Sequence, residues 1–351
     1  MSKVVTTSAP GKLLLTGEYA VLENAPAVSA ATDLRATVEV CSVNTKSSEL
    51  YVVNKECRYS FNPDLAGASR WINDPGEYGA IVDAALDVMH EHGLHPGQGS
   101  AMGISICTRD FYQQPENIND APQKKGIGSS AAVAAALTAA LQVVAGKNPD
   151  MGMALQVHRR FQGERGSGVD VATSWFGGLI AMLPGQPLMP MPRVQELSWP
   201  EALYVMPIWT GQSASTTAKL SLLNAYKEDS PDAWEKVFEP VCATATVAAA
   251  AWENGVGSEI LESIHQFSES LRQLDTAASL GIWSEPHQQL YSFTNQSDVV
   301  YKPSGAGGGD FGIAFATDKL QLLRFATQAE EAGFATNTVA WSHEGLNISR
   351  H

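Results

Sequence analysis

The chain has 351 residues, 44% of them hydrophobic, with a formal net charge of −14 and a pI of about 5.0. That is enough apolar material for one large domain or two, and the acidity argues against non-specific binding to nucleic acid or an anionic membrane surface. The four cysteines (Cys41, Cys57, Cys107, Cys242) are scattered without a CxxC or CxxH pattern, which excludes an evident zinc site or disulfide framework. The opening MSKVVTTSAPGK has no apolar signal core and no run approaches a membrane span, so a cytoplasmic location is expected.

In chain order, Leu13–Leu22, Ala27–Val43 and Glu49–Val53 are rich in Val, Thr and Leu between turn residues and are expected to be strands. Apolar residues at helical spacing predict a helix over Tyr78–His92. His90, His92 and His95 lie at its end without an HExxH pattern and read as surface or helix-end residues. A strand is expected at Ala101–Thr108, a loop over Tyr112–Lys125, and helices at Ser129–Val144 and Met151–Gln162. Gly177–Leu183 reads as a buried strand, and Pro184–Pro200, with five prolines, as an interdomain linker. Glu201–Gly211 is strand-like, and three or four helices fill Ser213–Ser297. A strand at Gly312–Ala316, a helix at Asp318–Ala332 and a closing strand at Asn337–Trp341 complete the chain. Strands and helices alternate without a regular βαβ period, which favours an α+β fold.

Four segments carry candidate chemistry. GIGSSAA (Gly126–Ala132) runs into an alanine-rich helix whose first amides are unpaired and attract anions. It lacks the lysine of a P-loop, and a plain serine-capped helix start is the alternative. SGAGGGDFG (Ser304–Gly312) contains GxGxxG but is followed by a strand rather than a helix, so it is not a Rossmann turn; it reads as a flexible loop or as backbone that passes close to a ligand. SAPGKLLLTGEYAVL (Ser8–Leu22) sets Lys12 six residues before Glu18 and next to it Tyr19; these are a phosphate-reaching lysine and pocket residues, or a surface lysine and a half-buried pair. GERGSGVDVAT (Gly163–Thr173) places Asp170 after a glycine-serine turn, as a helix cap or as a carboxylate beside a transferring phosphoryl group.

In this order APGKLLLTGEYAVL, GIGSSAA and SGAGGGDFGIAF, with SGVD between the last two, resemble the GHMP kinase superfamily over nearly the whole chain. The resemblance implies a two-domain α+β GHMP kinase fold. Its amino-terminal domain (1–190) would resemble ribosomal protein S5 domain 2, and its carboxy-terminal domain (191–351) would be ferredoxin-like. GEYAVL, GSGVDVATSWFGG, TGQSASTTAKL and KPSGAGGGDFG resemble the phosphomevalonate kinase branch, and the DAGPN motif of the diphosphomevalonate decarboxylases is absent.

The resemblance further implies ATP and Mg²⁺ as cofactors, a phosphorylated small-molecule acceptor, and a monomer or homodimer. Lys12 and Asp170 would be catalytic. Lys124, Gly126, Gly128, Ser129, Ser130 and Ala131 would bind ATP. Lys12, Glu18, Tyr19, Lys125, Ser167, Gly168, Ser213, Ser304, Gly305, Ala306, Gly307, Gly308 and Asp310 would line the acceptor side. Ser130 and Glu164 would hold the metal, although Glu164 lies only six residues before Asp170, closer than the family spacing. Further cations lie near the motifs: Arg159, Arg160 and Arg165 in HRRFQGERG, and Lys219 and Lys302 beside the acceptor-side segments. A phosphate acceptor is already nucleophilic near pH 7, so the main demand is electrostatic, and preorganised cations meet it. The rival readings are a mevalonate kinase or another small-molecule GHMP kinase, and a non-catalytic ligand-binding regulator, which would be expected to lose Lys12, Asp170 or a loop serine.

Overall fold

The computed structural model describes residues 4–63, 69–97, 100–114, 121–163, 166–183, 185, 193–295, 297–336 and 338–351. The strands are β1 (Val4–Thr16), β2 (Ala27–Val43), β3 (Ser48–Val52), β4 (Cys57–Pro63), β5 (Ser69–Trp71), β6 (Ala101–Cys107), β7 (Tyr112–Gln113) and β8 (Gln123–Lys124). They continue with β9 (Leu179–Leu183), β10 (Arg193–Leu197), β11 (Tyr204–Trp209), β12 (Val300–Pro303), β13 (Phe311–Ala316) and β14 (Asn347–Arg350). The helices are α1 (Gly76–Glu91), α2 (Ser129–Val144), α3 (Met151–Phe161), α4 (Val169–Phe176), α5 (Thr216–Asp229), α6 (Pro231–Asn254), α7 (Gly257–Ala278), α8 (Glu285–Ser292) and α9 (Lys319–Glu331).

The larger sheet runs β10-β9-β2-β6-β3-β4-β5, with β1 paired to both β2 and β14. Helix α2 packs on it with Ala131 to Leu141 all buried. Alanine has the best helix propensity and the smallest side chain, so the helix forms readily and approaches the sheet closely. Thr7 Oγ1 donates to the Ala136 carbonyl at 2.8 Å, which fixes helix against strand.

The smaller sheet runs β11-β13-β12, antiparallel throughout, and an isolated bridge from Trp209 to Ala335 lies on the outer side of β11. Taken with α5 to α8 between β11 and β12 and with α9 after β13, this is a ferredoxin-like βαββαβ path whose last strand is reduced to one bridge. Strand β13 is buried on both faces: Phe311, Ile313 and Phe315 pack with Trp252, Ile260 and Ile264, whereas Ala314 and Ala316 pack with Tyr301, Phe267 and Phe325. Tyr19, Ala20 and Ala25 join that second cluster, so the segment after β1 is anchored in the core of the smaller sheet.

Two register shifts interrupt the pairing of β1 with β2, between Pro10 and Lys12 and between Leu14 and Thr16. At the first, the Lys12 amide donates to Ile127 of the GIGSS loop at 2.9 Å. At the second, Ser304 Oγ accepts from the Leu14 amide at 3.1 Å and donates to its carbonyl at 2.9 Å. Bulges of this kind free ladder groups for other partners, and here both glycine-rich segments take them.

Several sequence expectations are corrected. The closing strand is Asn347–Arg350, while Trp341 forms only a single bridge with Thr32. Arg193–Leu197, inside the expected linker, is a strand paired with β9; much of the remaining proline run lies outside the described residues. The loop Tyr112–Lys125 holds the short β7–β8 pair. Asp170 lies in the first turn of a helix, α4, and not at its cap. All four cysteines are free and half-buried, and among the described residues no helix is long and apolar enough to cross a membrane.

Gly312 is constrained by packing: a Cβ there would lie 1.9 Å from the hydroxyl oxygen of the fully buried Tyr301. We expect Gly312→Ala to lower the free energy of unfolding in urea by about 2–3 kcal/mol through overpacking. A loss under about 0.5 kcal/mol would show that Tyr301 is not fixed as described.

Candidate active site

Helices α2 and α4 begin alike. Each is preceded by a glycine in the left-handed region, Gly128 at φ 80° and Gly168 at φ 85°, and neither cap supplies a side-chain hydrogen bond. The serine-cap alternative for GIGSS is therefore not what forms, since Ser129 is already the first helical residue. Asp170 likewise sits inside the first turn of α4 and is not its cap. Two helix starts, each carrying partial positive charge, border one cleft of about 630 Å³; at α4 the Val169 amide donates to Ser167 Oγ at 3.4 Å.

Lys12 lies between them. Its side chain is nearly buried, and its Nζ is 3.0 Å from Asp170 Oδ1. A Cβ on Gly128 would come within 3.2 Å of the Lys12 stem, so the glycine leaves room for the lysine. The same cleft is lined by Glu18, Tyr19, Lys124, Gly126, Gly128, Ser129, Ser130, Ser167, Gly168, Ser213, Ser304, Gly305, Ala306 and Asp310. The fold thus brings most of the sequence-predicted residues to one place.

Others go elsewhere. Ala131 is buried against Ala154, Leu155 and Val171, because the helix turns it away from the opening. Lys125 does not line the cleft; its ammonium lies near Asp110 and Asp33, and burial pulls its pKa down. Gly307 and Gly308 face the smaller domain, against Ile282 and Lys219. Glu164 and Arg165 lie outside the described residues. Lys219 spends its ammonium on the carbonyls of Leu280 and Gly281, both at 2.8 Å, and Arg160 pairs with Glu91.

Lys302 and Glu18 form a fully buried ion pair at 2.5 Å, linking β12 to the end of β1. Burial raises the Glu18 pKa and lowers that of Lys302, and each partner opposes the other's shift. Glu18 Oε2 has no hydrogen-bond partner among the described residues. Tyr19, held at φ 61°, donates its hydroxyl to the Ala306 carbonyl at 2.6 Å. Positive φ is costly for such a residue, and the bond to the glycine-rich loop secures it.

Asp310, also at positive φ (53°), ties three motifs together. Its carbonyl accepts from the Thr210 amide and hydroxyl, both at 2.9 Å, its amide donates to Gln212 at 2.6 Å, and Oδ1 accepts from Ala214 N–H at 3.3 Å. The carboxyl covers Gly126 so closely that a Cβ there would lie 2.1 Å away. Burial pushes its pKa up to about 6, with the Ala214 amide and then Lys12 and Lys124 opposing.

Sequence reasoning missed two histidines. His158 is buried and lines the cleft, with Nε2 3.2 Å from Ser130 Oγ; burial lowers its pKa, so the ring is neutral near pH 7. Its spacing of four from buried Ala154 placed it on the inner face of α3, a signal hidden by the neighbouring arginines. His287 lies beneath the glycine loop, with Nδ1 2.7 Å from Tyr301 hydroxyl and Nε2 3.0 Å from the Gly309 carbonyl. The carbonyl needs a donor, so Nε2 carries the proton and Tyr301 donates to Nδ1.

Among the described residues no three His, Cys, Asp or Glu side chains converge as a metal site. Ser130 and Asp170 offer oxygens beside the helix-start amides. That sparse donor set fits Mg²⁺, which takes most of its ligands from phosphate and water.

Residues 100–178 match the family described as GHMP kinases N terminal domain. The chain is 27% identical to a phosphomevalonate kinase of Streptomyces sp. (strain CL190), over 89% of this chain and 90% of that one. It is 26% identical to a mevalonate kinase of Thermococcus gammatolerans, over 98% of both. The solved structure of Streptococcus pneumoniae phosphomevalonate kinase in complex with phosphomevalonate and AMPPNP superposes with a TM-score of 0.72 at 18% identity, over 99% of each chain. The motif resemblance is therefore borne out: the chain has the GHMP kinase fold, and its residues 100–178 match the GHMP kinase N-terminal domain. By that kinship it is a phosphotransferase, with phosphomevalonate kinase and mevalonate kinase both among its relatives.

Two predictions follow from the buried carboxyls. Lys302→Met should cost about 3–5 kcal/mol in urea unfolding because it strands the Glu18 charge, and adding Glu18→Gln should restore most of that; additive losses would mean that the pair is not coupled. Asp310 has a folded pKa of about 6, above its ordinary 3.8, so its protonated form favours the fold. That contribution is complete below the lower value and is lost as pH rises through the upper one. Wild type should accordingly lose stability relative to Asp310→Asn between about pH 4 and 6, and thermal melts giving a constant difference would contradict it.

Proposed function

We propose that the chain transfers the γ-phosphoryl group of ATP to the phosphate of 5-phosphomevalonate, giving 5-diphosphomevalonate. The observation that carries this reading is the Lys12–Asp170 pair at 3.0 Å between two helix starts in one cleft. The kinship with a phosphomevalonate kinase supports the acceptor, and the neighbour solved with AMPPNP supports ATP as donor.

In this reading the amides and hydroxyls at Ser129 and Ser130 bind the donor phosphates. A narrow apolar slot walled by Tyr78, Ile81, Tyr112, Val133 and Phe161 lies beside them. Lys12 neutralises the junction between donor and acceptor, where negative charge is densest, and Asp170 fixes the lysine's position. His158 orients the Ser130 hydroxyl. Ser130 and Asp170 would hold magnesium beside the donor phosphates, and the ion would supply charge neutralisation there. The acceptor phosphate, with a second pKa near 6, is largely a dianion at neutral pH and attacks without a strong base.

A second reading, mevalonate as acceptor, is favoured by the mevalonate kinases that match the chain nearly end to end. Purified protein supplied with ATP and either acceptor separates the two: ADP release is expected with phosphomevalonate, and release with mevalonate alone would overturn the primary reading. Lys12→Met should reduce kcat by at least ~10³-fold with the fold intact by circular dichroism. Asp170→Asn should cost less than ~10²-fold, because no alcohol proton has to be removed; complete loss would assign Asp170 as a general base.

A further inference from the structure

His287, on the first turn of α8, is fully buried and does not line the cleft, yet both its ring nitrogens are engaged. The Tyr301 hydroxyl donates to Nδ1 at 2.7 Å, and Nε2 donates to the Gly309 carbonyl at 3.0 Å. Tyr301 is itself buried, and its hydroxyl fills the space that a Cβ on Gly312 would take. Burial lowers the His287 pKa to about 4; the Gly309 carbonyl opposes that shift, and Lys219 and Lys302 add to it. The ring is therefore a neutral donor near pH 7.

The bond acts on one peptide plane. The carbonyl of the Gly309–Asp310 peptide points at His287, and its N–H donates to the Gln212 carbonyl at 2.6 Å. A trans peptide directs these two groups oppositely, so α8 on one side and the segment after β11 on the other pin the plane at both ends. The pinned plane sets the start of Asp310, whose φ of 53° is costly for a residue with a side chain. From there the Asp310 carboxyl packs over Gly126, while Ser213, next to Gln212, donates its hydroxyl to the Lys124 carbonyl at 2.8 Å. Lys124 and Gly126 are thus clasped from the side of the smaller sheet, just ahead of the start of α2.

We infer that His287, steadied by Tyr301, is a positioning residue for phosphoryl transfer: it fixes the Gly309–Asp310 peptide and thereby holds the Asp310 carboxyl against the GIGSS loop. The role rests on the proposed kinase reading for the activity it serves, but not for the geometry. His287 touches no reacting group; it acts through a backbone carbonyl that it keeps pointed away from the cleft. A carbonyl oxygen turned into the cleft would bring its negative end towards the phosphates.

Turnover is measured with ATP and phosphomevalonate, per site counted by AMPPNP binding. His287→Leu should lower kcat by roughly 10- to 100-fold, because misplacing groups at the reacting centre by about 1 Å costs on that scale. His287→Gln, which keeps a donor near the Nε2 position, should stay within about threefold of wild type. Tyr301→Phe, which removes only the oxygen that steadies the ring, should lose roughly two- to tenfold. A crystal structure of His287→Leu should show the Gly309–Asp310 peptide rotated and the Asp310 carboxyl withdrawn from Gly126. A merely structural role would lower the number of AMPPNP sites, with kcat per site unchanged and glutamine no better than leucine; that result, or an unmoved peptide, overturns the inference. Should leucine prevent folding, Tyr301→Phe decides, and wild-type kcat in that variant overturns it. If wild type turns over mevalonate alone, or neither acceptor, the phosphomevalonate reading fails by itself, and the same ratios on mevalonate or the crystal structure still decide His287.

Discussion

The site depends on one stretch of backbone, Gly11 to Tyr19, being approached from two sides. A Cβ on Gly11 would lie 2.8 Å from the Ile127 carbonyl, so only a glycine lets the GIGSS loop reach the Lys12 amide. Three residues on, Leu14 is gripped through both its backbone groups by Ser304 of the other glycine-rich run. Glu18 and Tyr19 then join the smaller sheet and its glycine-rich loop, one through an ion pair and the other through a hydroxyl bond to Ala306. The strand thereby positions both loops relative to Lys12, and the cleft between the loops is a consequence of that strand's two bulges.

Three carboxylates, Glu18, Asp170 and Asp310, line a cleft that is suited to phosphates. Unneutralised, they would repel the ligand strongly in a partly dry site. Glu18 is answered by Lys302 and Asp170 by Lys12, whereas the Asp310 carboxylate is offset by the Ala214 amide with Lys12 and Lys124 nearby. With two of the three charges paired, the field in the cleft is set largely by the two helix starts and by the cations that remain uncommitted. Net charge of the whole chain is therefore a poor guide to the potential at the site.

The motifs made much of this legible. Ala27–Val43 and Ser129–Val144 coincide with the strand and helix that form, because periodicity and alanine content dictate them locally. Lys12, Asp170, Ser129 and Ser130 converge as the motif order implied. What was hidden depends on long-range pairing. Arg193–Leu197 is a strand because β9 offers it an edge, despite prolines on both sides of it. Asn347–Arg350 is exposed throughout and carries no burial pattern, yet β1 pairs with it. Lys302 read as one of the cations beside the acceptor-side segments, and its partner lies 284 residues away. His158 and His287 gave no motif at all, since their roles come from what packs over them.

The pairing of Lys12 with Asp170 also bears on the kind of acceptor the site suits. Asp170 Oδ1 is already engaged by an ammonium at 3.0 Å, and the carboxylate lies in the first turn of α4. An alcohol acceptor would need that same oxygen to take a proton while giving up the lysine. A phosphate dianion makes no such demand; it needs the ammonium beside it, and the existing pair holds the ammonium there. The pair thus holds the ammonium at the junction, and the starts of α2 and α4 supply the remaining positive potential on either side of it.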